Sequence, residues 1–485
     1  MLATLSARRA AALLPPLGDH GPAYAALADG VRLLIADGRI PVGTRLPSER
    51  ELTTALGVSR TTVTRAYGVL KDSGYLTARH GSGSVARLPH AASTSDALLG
   101  PQAGEGPAGA GDVVDLTCAA PVAPPGVTAA YEHAVAQLPC HLGDIGYYPS
   151  GLPELRRAIA ERYAARGLPT DPEQVIVTGG ALSALAIVLG ALVSPGDRVL
   201  TESPSYPNAL AALRRAGARL HGADIDQSGW ATASLGDAVR QLRPSAAYLM
   251  PDWHNPTGLL MSDDQRAELA ARLRAARTTA VVDETTAELA VDEPWTERMP
   301  LPFAAHLPGA VTVGSASKTF WGGLRIGWVR APHDRVAELL HSRLTLDLGS
   351  PVVDQLALAH LMADHDAVVA ARREQLAASR AALVAGLAAH LPSWRFRVPA
   401  GGLSLWCELP RPASSALVRS ASTQGVRLAA GPLFAPEGGL ERFVRLPFTR
   451  SPEQLGEATE RLARAWQETP AGRRTTRPAA PALVT

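Results

Sequence analysis

Six short apolar runs, QVIVTGG, DRVLTES, AAYLMP, TAVVDE, AVTVGS and RIGWV, are spread along residues 174–329. Several of the gaps between them carry apolar residues at helical spacing. Runs this short, bounded by turn residues, read as buried strands, and the amphipathic stretches between them read as crossover helices. The alternation demands an α/β sheet, mainly parallel. In such a sheet ligands sit beyond the carboxyl ends of the strands, so the residues that close each run are the first place to look for chemistry. From about residue 335 long Ala/Leu/Arg helices take over, followed by a few strands in WRFRVPAGGLSLWCEL and ERFVRLPF. Residues 113–468 therefore read as one body, with a large lobe at about 140–335 and a smaller α+β lobe at about 336–468.

The N-terminal part has a different grammar. Residues 24–38 show helical spacing and end at Gly38. Ser48, with Glu51 three residues on, forms a capping box before a short helix that stops at Gly57. Ser59 caps the next helix, which buries Val63, Tyr67 and Leu70 and turns Arg60, Thr61, Thr64 and Arg65 outward. After Gly74, YLTARHGSGSVAR reads as strand, glycine-rich turn and strand. Two helices across a tight turn and a small hairpin make a winged helix-turn-helix over residues 20–88. Residues 59–88 hold four Arg and one Lys against Asp72 alone, the electrostatic footprint of a nucleic-acid binder. Residues 89–112, rich in Pro, Gly, Ala and Ser, read as a flexible linker, and residues 469–485 as a disordered tail.

Other classes are disfavoured. Three widely spaced cysteines without a CxxC argue against a disulfide scaffold or a structural zinc. The histidines lack HExxH or paired-ligand spacing, so no metal is expected. No apolar run reaches membrane-spanning length and no signal segment is recognisable, so a cytoplasmic protein is expected, without membrane association.

The basic residues number 47, yet only two are lysines, Lys71 and Lys318. Arginine serves wherever a charge is wanted, so Lys318, in GSASKTFWGG, is a candidate for a task that arginine cannot perform. Around it, at or near strand ends, stand Asp283, Asn255, the Gly179–Gly180–Ala181 turn, Tyr206, Ser315 and Arg325. The set matches pyridoxal phosphate. A lysine amine condenses with its aldehyde, which an always-protonated guanidinium cannot do. A buried carboxylate keeps the pyridine nitrogen protonated. A glycine-rich turn into a helix, with hydroxyls and an arginine, holds a phosphate.

Taken in order, YYPSG, TGGA, SPSYP, NPTG, VVDE, SASK and LRIG resemble the fold-type I aminotransferases, and residues 24–88 resemble the DNA-binding domain of the GntR regulators. The fusion resembles the MocR/GabR-like subfamily. That resemblance implies a winged helix-turn-helix joined to a pyridoxal-phosphate-binding, aminotransferase-like domain. It implies that Lys318 carries the cofactor as an aldimine, Asp283 pairs with the ring nitrogen, Asn255 with the phenolic oxygen, and Tyr206 stacks on the ring. Gly180, Ala181, Ser315 and Arg325 would bind phosphate, and Tyr147 would reach the phosphate in a partner subunit. Arg445 would grip an effector's carboxylate. Arg50, Ser59, Arg60, Thr61, Arg65, His80 and Gly81 fall at or beside the family's DNA-contact positions.

The chain departs from the pattern at three points. Thr285 and Thr286 stand where a tyrosine is usual, Leu182 where glutamine is frequent, and Asn208 where arginine is frequent. The resemblance implies a transcription regulator, a head-to-tail homodimer, that binds a double-stranded DNA operator in the bacterial nucleoid. It would sense an amino acid, an amine or the cofactor itself. The alternative is a working aminotransferase with an appended DNA-binding domain.

Overall fold

The computed structural model describes residues 4–14, 22–36, 39–41, 43–79, 83–87, 113–226 and 229–470. The expected linker, most of the expected tail, Gly38, His80 and Gly81 lie outside these. The chain divides into two compact units, residues 1–98 with 124–133, and residues 99–123 with 134–485.

In the first unit, helices α1 (Ala7–Leu13), α2 (Ala23–Ala36), α3 (Glu49–Leu56) and α4 (Arg60–Asp72) precede a hairpin of β1 (Leu76–Arg79) and β2 (Gly83–Ala86). Local chemistry sets the helix-turn-helix. Ser48 Oγ accepts from the Glu51 amide while Glu51 accepts from the Ser48 amide at 2.8 Å, and Gly57 closes α3 in the left-handed region at φ 66°. Ser59 Oγ accepts from the Thr62 amide to start α4. Val63, Ala66, Tyr67 and Leu70 of α4 share a core with Leu27, Val31 and Leu34 of α2, and the Tyr67 hydroxyl donates to Pro47 O at 2.8 Å. Helix α1 adds to the elements expected from the sequence.

The second unit begins with β3 (Val114–Asp115) and includes the C-terminal end of α5 (Val127–Gln137). Then come α6 (Pro153–Ala165), β4 (Val175–Thr178), α7 (Ala181–Leu192), β5 (Arg198–Ser203), α8 (Pro207–Arg215), β6 (Arg219–Asp226), β7 (Gly229–Trp230), α9 (Thr232–Leu242) and β8 (Ala246–Leu249). They are followed by α10 (Asp263–Ala276), β9 (Thr279–Asp283), α11 (Phe303–His306), β10 (Val311–Ser315) and β11 (Gly327–Arg330). The eight strands β4 to β11 form one sheet in the order β4-β11-β10-β9-β8-β5-β6-β7. The expected parallel sheet is present, with two exceptions: β11 runs antiparallel to both β10 and β4, and β7 antiparallel to β6. The eleven residues between β10 and β11 are too few for a crossover helix, so the chain can only turn back.

Helix α12 (His333–Arg343) packs on α7, and α13 (Val352–Ala363) on α6. The C-terminal core is built from α14 (His365–His390), β12 (Ser404–Glu408), α15 (Ser414–Thr423), β13 (Val426–Arg427), β14 (Ala429–Ala430), β15 (Phe443–Pro447) and α16 (Pro452–Glu468). Strand β3 pairs in parallel with β13, so Val114 and Leu116 join this core. The strand expected from Trp394 onward reduces to β12: residues 394–400 make only the isolated bridge Arg395–Glu408, and Gly401 packs on the Trp253 indole.

Two ion pairs brace the loops at the sheet's carboxyl edge. Asp252 and Arg266, both 0% exposed, pair at 2.7 Å, and Arg166 bonds Glu284 at 2.8 Å. Removing one member of a buried pair leaves an uncompensated charge. Asp252→Ala is expected to lower unfolding free energy by about 3–5 kcal/mol, read by urea denaturation. A loss under about 1 kcal/mol would contradict the buried pairing.

Candidate functional site

A cavity of about 160 Å³ opens at the carboxyl ends of the parallel strands. Ala181, Tyr206, Asn255, Asp283, Ser315, Lys318 and Arg325 all line it, so seven residues singled out from the sequence converge. Lys318 follows β10 in a wide single helical turn over Ser317–Trp321, a local irregularity of the kind that collects at functional sites. Its Nζ donates to Ala119 O at 3.0 Å. Burial pushes the Lys318 amine down from 10.5 to about 8. Nearby Arg445 and Arg325 act in the same sense, against Cys118 and Asp283.

Asp283 closes β9 and is 4% exposed. Its Oδ2 accepts from the Tyr248 hydroxyl at 2.7 Å and its Oδ1 from the Thr285 amide at 2.9 Å. Burial raises its pKa, and these two hydrogen bonds with the Lys318 charge oppose the rise. Burial also pushes the Tyr206 hydroxyl up to about 12 and the Tyr248 hydroxyl well above its usual value.

The turn after β4 is shaped for a close approach. Gly180 has φ 105°, and a Cβ there would stand 2.7 Å from Arg325 Nη2. Only glycine lets the Arg325 guanidinium lie against the start of α7, where it donates to Gly179 O at 3.1 Å. The N-terminal amides of α7, the Ser315 hydroxyl and Arg325 thus face one end of the cavity, a donor set suited to a phosphate.

Arg445, on β15, does not line the cavity itself and touches it through Asn255. It is 0% exposed, and its guanidinium donates to Asn255 Oδ1 at 3.2 Å and to Thr117 O. Its Nε has no hydrogen-bond partner among the described residues, and burial lowers its pKa to about 10. Tyr147 is 59% exposed and does not line the cavity.

The departures have structural consequences. Thr286 lines the cavity, and its hydroxyl donates to Asp252 O at 2.7 Å. Thr285 lines the cavity and also a second one of about 30 Å³ behind it. Asn208 donates to the Tyr206 hydroxyl at 3.0 Å. Leu182 lines the cavity wall.

Sequence reasoning missed several partners. Tyr248 lies inside AAYLMP without a motif of its own. Buried Glu202 accepts from the Trp230 indole at 2.6 Å and the Met250 amide at 2.9 Å, with His254 Nε2 3.3 Å away. His254 also meets Thr257 Oγ1 at 2.9 Å, which gives this residue a structural place beside the site. Among the described residues no cluster of three or more metal-ligating side chains occurs, and no helix is long and apolar enough to cross a membrane.

In the first unit Arg50, Ser59, Arg60, Thr61 and Arg65 are all exposed. Arg65 stacks over the Tyr24 ring at 3.9 Å, and Ser59 is engaged in its cap.

Residues 143–462 match the family described as aminotransferase class I and II, and residues 23–85 match the bacterial regulatory proteins of the gntR family. An uncharacterized HTH-type transcriptional regulator of Escherichia coli (strain K12), YdcR, is 31% identical over 91% of this chain and 97% of its own. The chain belongs to the MocR-like regulators. Within that family, the probable rhizopine catabolism regulatory protein MocR of Rhizobium meliloti is 32% identical over 64% of this chain and 66% of its own. Among solved structures, the α-aminoadipate aminotransferase LysN of Thermus thermophilus covers 78% of this chain and 99% of its own, at 27% identity and a TM-score of 0.68. Aminotransferases of class I and II depend on pyridoxal phosphate, and the donor set around Lys318 fits that group.

The environment of Lys318 makes a direct expectation. An amine with a pKa near 8 is neutral, and nucleophilic, above that pH. Reductive methylation of protein freed of small ligands, read peptide by peptide, should give a Lys318 rate that rises to a plateau with its half-rise near pH 8. A half-rise near the ordinary 10.5 would contradict the desolvated site.

Proposed function

We propose that this chain is a DNA-binding transcription regulator whose second unit holds pyridoxal phosphate as part of a sensor. The observation that carries the reading is the convergence of desolvated Lys318 and buried Asp283 in one cavity. When bound, the cofactor supplies an electrophilic aldehyde and an electron-withdrawing ring. Lys318 is the residue to hold it covalently. Asp283, kept in place by Tyr248 and Thr285, would stabilise a proton on the ring nitrogen. Asn255 would face the phenolic oxygen, and Tyr206, steadied by Asn208, the ring. Gly180, Ala181, Ser315 and Arg325 would hold the phosphate.

Arg445 supports an effector with a carboxylate. A guanidinium buried completely and, among the described residues, bonded only to neutral oxygens and with Nε unsatisfied, is an anion site in waiting. A second copy of the chain is expected at the apolar surface formed by Leu142, Ile145, Tyr147, Leu344, Leu346 and Leu348, each at least 45% exposed. That placement would carry Tyr147 to the partner's cofactor. In the first unit Arg60 and Thr61 at the start of α4 would meet base edges, and Arg50, Ser59 and Arg65 the backbone, with the wing at His80 and Gly81 outside the described residues. Such a regulator works beside DNA, in the cytoplasm.

Sustained aminotransferase turnover is disfavoured by Thr286, whose hydroxyl is spent on Asp252 O, and by the lack of a tyrosine at either position 285 or 286. Incubation of the full chain with pyridoxal phosphate should give a visible absorption band that borohydride removes and that Lys318→Ala lacks. With an amino donor and a keto acid, at most one equivalent of product per site should form. A chain that takes up no cofactor would refute the sensor, and many turnovers per site would make it an enzyme.

A further inference from the structure

At the opposite edge of the sheet from Lys318, the amino ends of the parallel strands carry a row of arginines. Arg198 opens β5 and Arg219 opens β6, and the two are directly paired in the parallel register. Arg243 stands three residues before β8 and Arg277 two residues before β9. Because the sheet runs β9-β8-β5-β6, four neighbouring strands are each entered from an arginine. At a strand spacing of about 4.8 Å the row is roughly 15 Å long.

All four are exposed, and none makes a side-chain hydrogen bond or ion pair among the described residues. Like charges on paired strand residues repel, so Arg198 beside Arg219 is a standing electrostatic cost: neither has an ion-pair partner among the described residues, and the carboxylate of neighbouring Asp197 accepts from the Ser194 amide. Arg243 and Arg277 take left-handed backbone at φ 44° and 57°, just past the ends of α9 and α10, where glycine is the usual residue. Helix C-termini favour a cation there, but Arg198 and Arg219 stand at strand starts, which that effect does not cover.

The row is backed by a groove of about 360 Å³ lined by Arg240, Arg243, Arg272 and Arg277 with Gly236 and Ala276. A Cβ at Gly236 would come within 3.2 Å of the Arg272 side chain, so the glycine makes room for that arginine to cross α9. Asp237 pairs with Arg240 at 2.8 Å and Glu268 with Arg272 at 3.5 Å, which neutralises these two and leaves the row unbalanced.

We propose that this arginine row is a second DNA-contacting surface, which takes the phosphodiester backbone of a duplex by charge alone. A DNA strand carries a charge about every 3.4 Å along the helix axis, so a row of roughly 15 Å runs past about four phosphates. The proposal rests on DNA binding by the winged-helix unit. It adds that the Lys318 pocket and this surface occupy opposite ends of one sheet, so that effector and DNA do not compete for space.

The test uses the full chain and a random-sequence duplex of about 60 base pairs, with affinity measured across salt concentrations. The variant replaces all four residues: Arg198→Ser, Arg219→Ser, Arg243→Ser and Arg277→Ser. Each lost phosphate contact flattens the plot of log affinity against log salt by about 0.9, so the slope should fall by about 2–4. Replacing the same four by lysine should leave it near the wild-type value and so control for folding. An unchanged slope in the serine variant overturns the proposal. So does an unchanged slope accompanied by protection of the row by inorganic tripolyphosphate, which would make it a small-polyanion site. If Arg60→Ala alone abolishes duplex binding while the serine variant binds normally, DNA contact belongs to the winged helix only. A wild-type chain that binds no duplex would refute the underlying DNA-binding reading instead.

Discussion

The second unit is organised around a carboxylate that burial disfavours. Asp283 ends a strand at the bottom of the cavity, almost cut off from water, and two donors hold its oxygens. Burial alone would drive it toward the neutral acid, and the hydrogen bonds and the Lys318 charge push back. A protonated heterocycle placed against it would resolve the conflict, since an opposite charge in contact is what a buried carboxylate lacks. Lys318 is under the mirror-image stress: burial lowers its amine toward neutrality. An acid that needs a cation and an amine that prefers to be uncharged are what an aldehyde-bearing, ring-protonated ligand requires of a site.

The rest of the unit keeps that pair in register. The parallel strands bring Tyr248, Asp283 and Ser315 to one edge, and the pairing of Gly327 with Thr178 at the start of β11 sets Arg325, two residues earlier, beside Gly180. The second layer of charges, Arg166 with Glu284 and Arg266 with Asp252, fixes the loops that follow β8 and β9. Asp252 also accepts, through its carbonyl, the Thr286 hydroxyl, so this residue, which departs from the tyrosine pattern and lines the pocket, gives its hydroxyl hydrogen to the scaffold.

Much of this is legible in the sequence because it rests on local signals. Strand runs of four to six residues, the capping box at Ser48 and left-handed Gly57 each announce themselves within a few positions. The cavity residues are legible because strand ends in an α/β sheet converge by topology. The partners that tune them are not. Tyr248 and Asp283 lie 35 residues apart, and Arg445 and Asn255 lie 190 apart, with no spacing rule to link them. The two-residue strand β3 carries no period at all, and only its pairing with β13 reveals it. WRFRVP alternates like a strand, but the glycines after it must pack on Trp253 and the chain leaves the sheet direction.

A sensor requires that the pocket and the DNA surfaces be coupled, and coupling is reciprocal: if ligand changes DNA affinity by some factor, DNA changes ligand affinity by the same factor. The most direct measurement is a titration of the full chain with pyridoxal phosphate, in the presence and absence of a saturating operator duplex selected from a random pool. The apparent cofactor affinity is expected to shift several-fold on adding DNA, and operator affinity to shift by the same factor on loading the cofactor. Identical cofactor affinities with and without operator, at full occupancy of both, would contradict it and leave the pocket and the DNA-binding unit as independent passengers on one chain.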